Sequence, residues 1–515
     1  MTRRSAAGLL AIAPALLLPR KSSAQDNLPP IEKGPFDGTA ESLRAYAIPE
    51  WFRDAKFGIW AHWGPQSAAE DGDWYARNIY IQGSDQNKYH VEKYGHPSKF
   101  GHKDICQLWK GDRFDADHLT QLYKKAGAKY FMSMGVHHDN FDLWNSKHQP
   151  RWNAVATGPK KDVVGLWRKA ADKYGLRFAV SEHLSNSYDW FATSHTSDKT
   201  GPLAGVPYDG QDAAYNDLYH PSPNNPEKLP NAMGREAPDS WKRLWFLRIK
   251  DLVDNYHPDL LYTDGGIPFG EIGLKLVSHY YNTNARLHGG KVEGIFTSKT
   301  ARDCAQGTCA LDIERGVANE ILPQPWQTDT CIGNWHYKKG IKYKTPKTVI
   351  DLLCDIVSRN GNLMLNFPLP NSGMLDDDEL KVLDGITQWM AVNREGIYGT
   401  RPWKVAGNAA PPPAASAEQR QFNERNRKDL TAADIRFTAK NGAVYVFLMG
   451  WPERSSLTIP QLALGGNPGG GKIRRVELLG HKGNLKFTQN ETALSVELPK
   501  EKPCDYAVTL KVEGA

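Results

Sequence analysis

The sequence predicts an α/β chain in which a (β/α)8-like barrel is followed by a C-terminal all-β sandwich. Strand-like and helix-like segments alternate from about residue 51 to residue 403, a pattern typical of a parallel sheet covered by helices. A Pro/Ala-rich stretch (407–420) then gives way to short alternating strands, which favours a sandwich. We therefore predict a leader (1–24), a barrel domain (25–404) and a β-sandwich domain (405–515).

Each round of the predicted barrel pairs a helix with a short apolar strand. The rounds comprise a first strand in 56–64, helix–strand pairs in 115–141, 162–183, 241–266 and 345–368, a helix at 274–285 with a strand in 291–299, and a closing helix around 379–392. At least six rounds in one stretch favour a closed barrel over an open sheet. No G-x-G-x-x-G follows an early strand, so a dinucleotide cofactor is unsupported.

Polar residues follow four of the predicted strands. These residues are His62, His137–His138–Asp139, Glu182–His183 and Asp264. In a barrel, catalytic side chains lie on the loops that follow the carboxyl ends of the strands. Asp264 alone, followed by two glycines in PDLLYTDGG, also fits an ordinary turn. Four strands that end in this way at one rim predict a site.

A pair of carboxylates is the minimum for glycoside hydrolysis. Asp264 is one candidate, and the segment 311–340 offers the second beside aromatic residues. The candidates there are Glu314 and Glu320, ahead of Trp326 and Trp335. The sequence therefore indicates a sugar-cleaving site, with a loop glutamate as the second carboxylate.

Six motifs, in order, resemble those of the α-L-fucosidases of glycoside hydrolase family 29. They are WFRDAKFGIWAHWG (51–64), GDWYARNIY (72–80), AGAKYFMSMGVHHDNFDLW (126–144), PDLLYTDGG (258–266), PWQTDTCIGNWHY (325–337) and LCDIVSRNGNLMLNFP (353–368). The resemblance covers about Ala47–Trp403, and the C-terminal β domain fits it too. It implies an exo-acting, retaining hydrolase without a cofactor, acting on a fucosylated oligosaccharide or polysaccharide.

The resemblance also implies roles for individual residues. Asp264 occupies the motif of the nucleophile, and Glu314 has the spacing of the acid/base, with Glu320 and Glu271 as rivals. We expect their carboxyls to lie roughly 5–6 Å apart if the pair is Asp264 and Glu314, and Glu314 to lie near Trp326 or Trp335. The expected sugar-binding residues are His62, Trp63, Asp73, Trp74, His137, His138, His183, Lys299, Trp326 and Trp335.

Three departures from the family pattern leave the substrate open. Asp73 stands where the family has Glu, His183 lies in SEHLS in place of a Tyr-containing motif, and Lys299 stands where Arg is common. Three alternatives remain: a related L-galacto-configured sugar, a fucose-rich polysaccharide with or without sulfate groups, and a non-catalytic carbohydrate-binding homologue. A metal site is less supported, because no i, i+4 histidine pair or cysteine cluster accompanies the histidines.

Charge and cysteine content narrow the partners. The first residues, with Arg3 and Arg4 and an apolar run before SSA, predict an export signal cleaved near Ala24, hence a periplasmic or secreted protein. Removing its four basic residues lowers the net charge from +6 to about +2, too little to indicate nucleic acid or membrane as a partner. Cys304 and Cys309 are close enough in sequence for a disulfide. The oligomeric state stays open, and a homo-oligomer is compatible with the sequence.

Overall fold

The computed structural model describes residues 28–222, 237–305, 307–409, 420–465, 468 and 471–514. The predicted leader (1–24) and most of the Pro/Ala-rich stretch lie outside these ranges. Eight parallel strands form a closed barrel, and a five-stranded and a three-stranded antiparallel sheet follow it. The predicted fold class, a barrel followed by an all-β domain, is therefore confirmed.

The barrel strands run in chain order around the sheet, and β1 pairs with both β2 and β8 to close it. Their bounds are β1 Phe57–Ala61, β2 Tyr130–Val136, β3 Arg177–Glu182, β4 Leu260–Thr263, β5 Ile295–Ser298, β6 Ala310–Glu314, β7 Trp326–Cys331 and β8 Gly361–Asn366. Nearly all of their residues are buried, as expected for strands covered on both faces.

The helices lie outside the barrel sheet. Of the described helices, two precede β1, most connect successive strands, and one follows β8. Their bounds are α1 Ala40–Leu43, α2 Glu50–Ala55, α3 Tyr75–Asn78, α4 Asp85–Tyr94, α5 His102–Leu108, α6 Ala116–Lys125, α7 Val163–Tyr174, α8 Ser187–Trp190, α9 Asn216–Tyr219, α10 Asp239–Tyr256, α11 Glu271–Leu287, α12 Ala301–Ala305, α13 Pro346–Val357 and α14 Asp377–Asn393. Asp115, Asp162 and Thr345 accept backbone N–H groups and so cap α6, α7 and α13. Within the described ranges, no helix is long and apolar enough to cross a membrane.

Two barrel strands, β6 and β7, were not among the predicted ones. Both are short and carry inward polar side chains, which hides them from a search for apolar runs. Glu314 is the last residue of β6, so the expectation that it lies on a loop is wrong. The segment between β5 and β6 holds the short helix α12, and the Sγ atoms of Cys304 and Cys309 lie 2.7 Å apart there as free thiols.

The C-terminal domain contains two antiparallel sheets, with strand orders β13-β16-β11-β10-β9 and β12-β15-β14. Its strands are β9 Arg401–Gly407, β10 Ile435–Lys440, β11 Ala443–Leu448, β12 Ser456–Ile459, β13 Arg475–Leu478, β14 Phe487–Gln489, β15 Leu494–Glu497 and β16 Val508–Glu513. Asn441 and Gly442 both have positive φ between β10 and β11, as a two-residue Asn-Gly hairpin turn requires. The sheet begins at Arg401, ahead of the predicted boundary at 404/405.

The two domains pack against each other through buried polar contacts. The carboxylate of Asp355, on α13, pairs with Arg359 of the barrel and with Arg427 and Arg436 of the C-terminal part. The indole N–H of Trp389 donates to the carbonyl of Ala507 at 2.7 Å. Because each contact satisfies a buried polar group, separating the domains would leave these groups unpaired.

Candidate active site

An open pocket of about 370 Å³ lies at the carboxyl ends of the barrel strands, the position where barrel folds place their sites. Its size suits a small ligand. The lining residues are Trp60, His62, Asp73, Trp74, His137, His138, His183, Tyr262, Asp264, Lys299, Glu314, Asp329, Trp335 and Phe422.

Asp264 follows β4 directly, and the turn behind it is tied to the next strand. Gly265 has φ +121°, a backbone conformation that residues other than glycine rarely adopt. Its carbonyl accepts the backbone N–H of Lys299 at 2.8 Å, and a Cβ on Gly266 would come within 2.7 Å of Thr300 Oγ1. The two glycines therefore let the Asp264 turn pack against the Lys299 turn.

Lys299 lies between two carboxylates. Its Nζ is 2.6 Å from Asp264 Oδ1 and 2.5 Å from Glu314 Oε2, so those two oxygens are no more than about 5.1 Å apart. A third carboxylate oxygen, Asp329 Oδ2, lies 3.9 Å from the same Nζ and accepts the hydroxyl of Tyr262 at 2.8 Å. Asp329 and Glu314 are partners across β6 and β7, which explains why their side chains meet.

This arrangement drives the two carboxyl pKa values apart. Burial favours the neutral form of Asp264, but Lys299, His138 and His183 outweigh it and hold the pKa well below the usual range. Burial raises the pKa of Glu314 to about 7, and the charges of Asp329 and Asp264 act in the same direction against Lys299. One carboxyl is thus held ionised while the other keeps a proton near neutrality.

The opposite side of the pocket consists of histidines whose protons are fixed by their partners. Asn366 donates to the carbonyl of Trp335 at 2.9 Å, which directs its Oδ1 toward His62. That oxygen accepts both the backbone N–H and Nδ1–H of His62, at 2.8 and 3.0 Å. Burial lowers the pKa of His62 well below its usual value, so the ring is neutral and its Nε2 is a hydrogen-bond acceptor.

His137 has the opposite tautomer. The Oε1 of Gln66 accepts the backbone N–H of Ala76 at 3.4 Å, so its amide nitrogen donates to His137 Nδ1 at 3.0 Å. Burial and the neighbouring histidines lower the pKa of His137 well below its usual value. Its proton therefore sits on Nε2, which is a donor.

His138 carries a charge, because both of its nitrogens donate. Nδ1 donates to the carbonyl of His183 at 2.7 Å, and Nε2 lies 3.2 Å from Asp264 Oδ2. Burial works to lower the pKa of His138, but the hydrogen bond and charge of Asp264 outweigh it and raise that pKa. The neighbouring His183, whose pKa is lowered by burial, lies 3.3 Å from the same oxygen.

A buried ion pair behind β2 holds the turn that carries these histidines. Arg248, on α10, contacts Asp142 Oδ1 at 2.5 Å and Asn140 Oδ1 at 2.5 Å, and none of its surface is exposed. Asn140 has φ +60°, a left-handed conformation that asparagine adopts more readily than most other residues with a Cβ. Arg248 therefore fixes the turn after His137 and His138.

Asp73 and the aromatic residues complete the pocket. Asp73 Oδ1 accepts Nδ1–H of His336 at 2.6 Å and lies 3.9 Å from His137 Nε2. The ring of Trp335 lies 5.0 Å from that of His62 and 5.7 Å from that of Trp60. These indoles give the pocket an apolar surface between its polar groups, as sugar faces require.

Within the part of the chain that the structure describes, two sets of side chains are close enough together to hold a metal ion. They are His137, His138 and His183, and Asp73, His137 and His336. A metal needs a lone pair from each ligand, but Nε2 of His137 carries a proton and both nitrogens of His138 donate. With these protons in place the histidines can donate to hydroxyl groups, and a metal ion would have to displace the protons in order to bind.

Comparison with known proteins agrees with this geometry. The sequence model of a family described as Alpha-L-fucosidase matches residues 24–395. The chain belongs to the α-L-fucosidase family. A second model, of the α-L-fucosidase C-terminal domain, matches residues 427–513, and the resemblance predicted from the motifs is confirmed.

Individual relatives align over most of their length. The plasma alpha-L-fucosidase of Homo sapiens is 27% identical over 503 residues, covering 92% of each chain. That of Rattus norvegicus is 26% identical over 539 residues, covering 98% of each chain. The crystal structure of Thermotoga maritima alpha-fucosidase superimposes with a TM-score of 0.71 at 25% identity, covering 93% of this chain and all of that one. The chain is thus a member of a glycoside hydrolase family.

In this α-L-fucosidase family member, the pocket brings together most of the residues predicted to form the site, but not Trp63 and Trp326. The buried indole of Trp63 does not line the pocket. Its N–H donates to the carbonyl of Pro370, and its ring packs on Trp109. Trp326 begins β7, at the opposite end of the barrel, and donates to the carbonyl of Arg359. Their places in the fold do not agree with the expected sugar contacts.

The rival glutamates lie elsewhere. Glu320 pairs with Arg420, and Glu271 begins α11 as an exposed residue. Glu182 is turned behind the pocket, where it accepts the hydroxyl of Thr263 and the indole N–H of Trp245. Of the acidic residues weighed as the second carboxylate, Glu314 alone lines the pocket.

Four lining residues were not predicted from the sequence: Trp60, Tyr262, Asp329 and Phe422. His336, which contacts the lining residue Asp73, was not predicted either. Tyr262 sits two residues before Asp264, and His336 lies within the PWQTDTCIGNWHY motif, so their positions offered a signal. Asp329 lay in a strand that was not recognised. Phe422 comes from beyond the barrel and carries no local signal.

Proposed function

We propose that this protein is an exo-acting, retaining α-L-fucosidase that removes terminal α-L-fucosyl residues from glycans. The observation that carries the proposal is the position of Lys299 between two carboxylates. Its ammonium donates to Asp264 Oδ1 at 2.6 Å and to Glu314 Oε2 at 2.5 Å. Retaining glycosidases have carboxyls about 5–5.5 Å apart, too close for an interposed water. The bound of about 5.1 Å between the bridged oxygens supports that class.

In the first step, Asp264 attacks the anomeric carbon and the bond to the leaving oxygen breaks. Glu314 gives its proton to that oxygen, for which a pKa of about 7 suits it. Asp264, held ionised by Lys299 and His138, is the nucleophile. A fucosyl–enzyme ester results.

In the second step, Glu314 accepts a proton from water as the water attacks the anomeric carbon and displaces Asp264. Lys299 remains between the two groups in both steps. Since the negative charge passes from Asp264 to Glu314 when the ester forms, one ammonium compensates whichever carboxylate is ionised. The site thus keeps its charge balance through the cycle.

The histidines suit the recognition of one sugar ring. His62 offers an acceptor and His137 a donor, so each addresses a hydroxyl from a defined direction. Such a fixed pattern favours one arrangement of hydroxyls over its epimers, because a misplaced hydroxyl leaves buried groups unpaired. A pocket of about 370 Å³, which suits a small ligand, is compatible with the exo mode. The departures at Asp73, His183 and Lys299 keep a related L-galacto-configured sugar as the alternative.

Proton NMR of the first-formed product tests the proposal. With an aryl α-L-fucoside as substrate, we expect α-L-fucose to appear before it mutarotates, and the same rate with and without EDTA. A β-configured first product would overturn the retaining mechanism. Absence of turnover by the folded wild-type protein on fucosides and on the matching α-L-galactosides would instead favour the non-catalytic, carbohydrate-binding alternative.

A further inference from the structure

We propose that Phe422 forms the binding surface for the sugar that leaves during the reaction, a pyranoside with an exposed C–H face. This inference rests on the proposed function and extends it beyond the fucosyl pocket. It assigns part of the substrate site to the segment that joins the two domains, which the comparisons do not address.

The segment 420–424, here called the strap, runs along the end of β6. The backbone N–H of Phe422 donates to the carbonyl of Glu314 at 2.8 Å, and Gln421 Oε1 accepts the backbone N–H of Glu314 at 2.7 Å. The next bond, from Glu424 N–H to the carbonyl of Arg315, is 2.9 Å long. The strap is therefore held in register with Glu314 by three hydrogen bonds.

The strap is anchored on its far side as well. Asn423 Oδ1 accepts the backbone N–H of Val317 at 3.0 Å. The carboxylate of Glu424 accepts the hydroxyl of Thr330 and pairs with Lys344, both at 2.6 Å. Phe422 thus occupies a defined position beside the pocket.

The exposure and backbone conformation of Phe422 are both energetically unfavourable. Phe422 is 48% exposed, the highest value among the exposed large hydrophobic residues of the described ranges. Its φ of +55° is also unfavourable for a residue with a Cβ. The anchored backbone nevertheless holds the ring at the mouth of the pocket, where it joins the lining.

The chemistry places the leaving group on this side. Glu314 donates its proton to the oxygen that links fucose to the next sugar, so that sugar must lie beside Glu314 and outside the fucosyl pocket. The backbone N–H of Phe422 is hydrogen-bonded to the carbonyl of Glu314, and both residues line the pocket. An aromatic ring offers a flat apolar surface that suits the C–H face of a pyranose.

Two substrates that share the fucosyl group separate this role from catalysis. α-L-Fucosyl-(1→2)-galactose has a sugar as its leaving group, whereas α-L-fucosyl fluoride has a single atom. We expect Phe422→Ala to lower kcat/KM for the disaccharide about tenfold more than for the fluoride. Phe422→Trp should keep the wild-type ratio of the two values, because it restores the aromatic surface.

Leu287→Ala is the matched control, since Leu287 is 43% exposed at the end of α11 and does not line the pocket. It should leave the ratio unchanged. An equal loss by Phe422→Ala on both substrates would mean that the strap acts only through the backbone of Glu314, and would overturn the inference. No loss on either substrate would overturn it too. If the wild-type protein hydrolyses neither substrate, the proposed function fails first.

Discussion

The two sides of the pocket solve different problems with different chemistry. The carboxylate wall consists of Asp264 and Lys299, which follow β4 and β5, and of Glu314 and Asp329, which lie within β6 and β7. It holds buried charges that compensate one another. The histidine wall, formed by His62 after β1 and His137 after β2, presents neutral rings with fixed protons. The carboxylate wall can respond to charge that develops during a reaction, whereas the neutral histidine wall can only recognise shape and hydroxyl direction.

The comparison predicts that the largest loss comes from the carboxylate wall. Asp264→Gly should lower turnover of an aryl α-L-fucoside on the order of 10⁴-fold, because no other group attacks the anomeric carbon. External azide should restore turnover and yield β-fucosyl azide, as NMR would show. Circular dichroism checks that the variant is folded. Retention of a tenth of the wild-type rate would refute the assignment of Asp264.

Removing the acid/base should discriminate between leaving groups. Glu314→Ala should lower kcat/KM about 10²- to 10⁴-fold for a fucosyl disaccharide, whose leaving oxygen needs a proton, and much less for an activated aryl fucoside. Steady-state kinetics on both substrates measures this difference. Glu271→Ala, at an exposed glutamate that was a rival candidate, is the control and should show no such contrast.

The pH profile reports on Asp329. Activity should fall as the pH rises through about 7, where Glu314 loses its proton. The negative charges of Asp329 and Asp264 both raise the pKa of Glu314, whereas the positive charge of Lys299 lowers it. Removing the charge of Asp329 lowers the pKa of Glu314, so Asp329→Asn should move the alkaline limb of kcat/KM to lower pH.

Asp312→Asn provides the control for this profile. Burial and the charge of Asp329 raise the pKa of Asp312 well above its usual value, so Asp312→Asn should remove less negative charge than Asp329→Asn does. Lys299, Asp264 and His138, the other ionised groups at the site, are present in both variants. If both substitutions moved the alkaline limb equally, Asp329 would have no special part in setting it.

The smallest effect is expected on the histidine wall. Gln66→Leu removes the donor that fixes the proton of His137 on Nε2, so both tautomers of the ring become populated. We expect KM to rise by about two- to tenfold, as for the loss of one hydrogen bond, with kcat changed less. Gln388→Leu, on the exposed face of α14, should leave both constants unchanged, whereas an equal fall of kcat in Gln66→Leu would mean that His137 serves the chemical step.

The histidine wall was the more predictable of the two from the sequence. His62 and His137 directly follow apolar strands, so their positions could be read from local patterns. Glu314 and Asp329 lie inside strands whose apolar pattern is broken by the same inward-facing groups that form the site. These buried carboxyl groups are compensated by Lys299, which follows β5. The sequence around each carboxyl group does not reveal this contact. The tautomers likewise depend on partners as distant as Asn366.

The hydrogen bonds between the strap and Glu314 make the two domains inseparable in practice. A chain cut at residue 404 would keep all eight barrel strands yet lose Gln421, the partner of the Glu314 backbone. Exchanging C-terminal domains between relatives, a common route to chimeric enzymes, would likewise replace the surface that faces the outgoing sugar. A chimera that preserves the barrel must therefore carry residues 420–424 with it and place its junction after them.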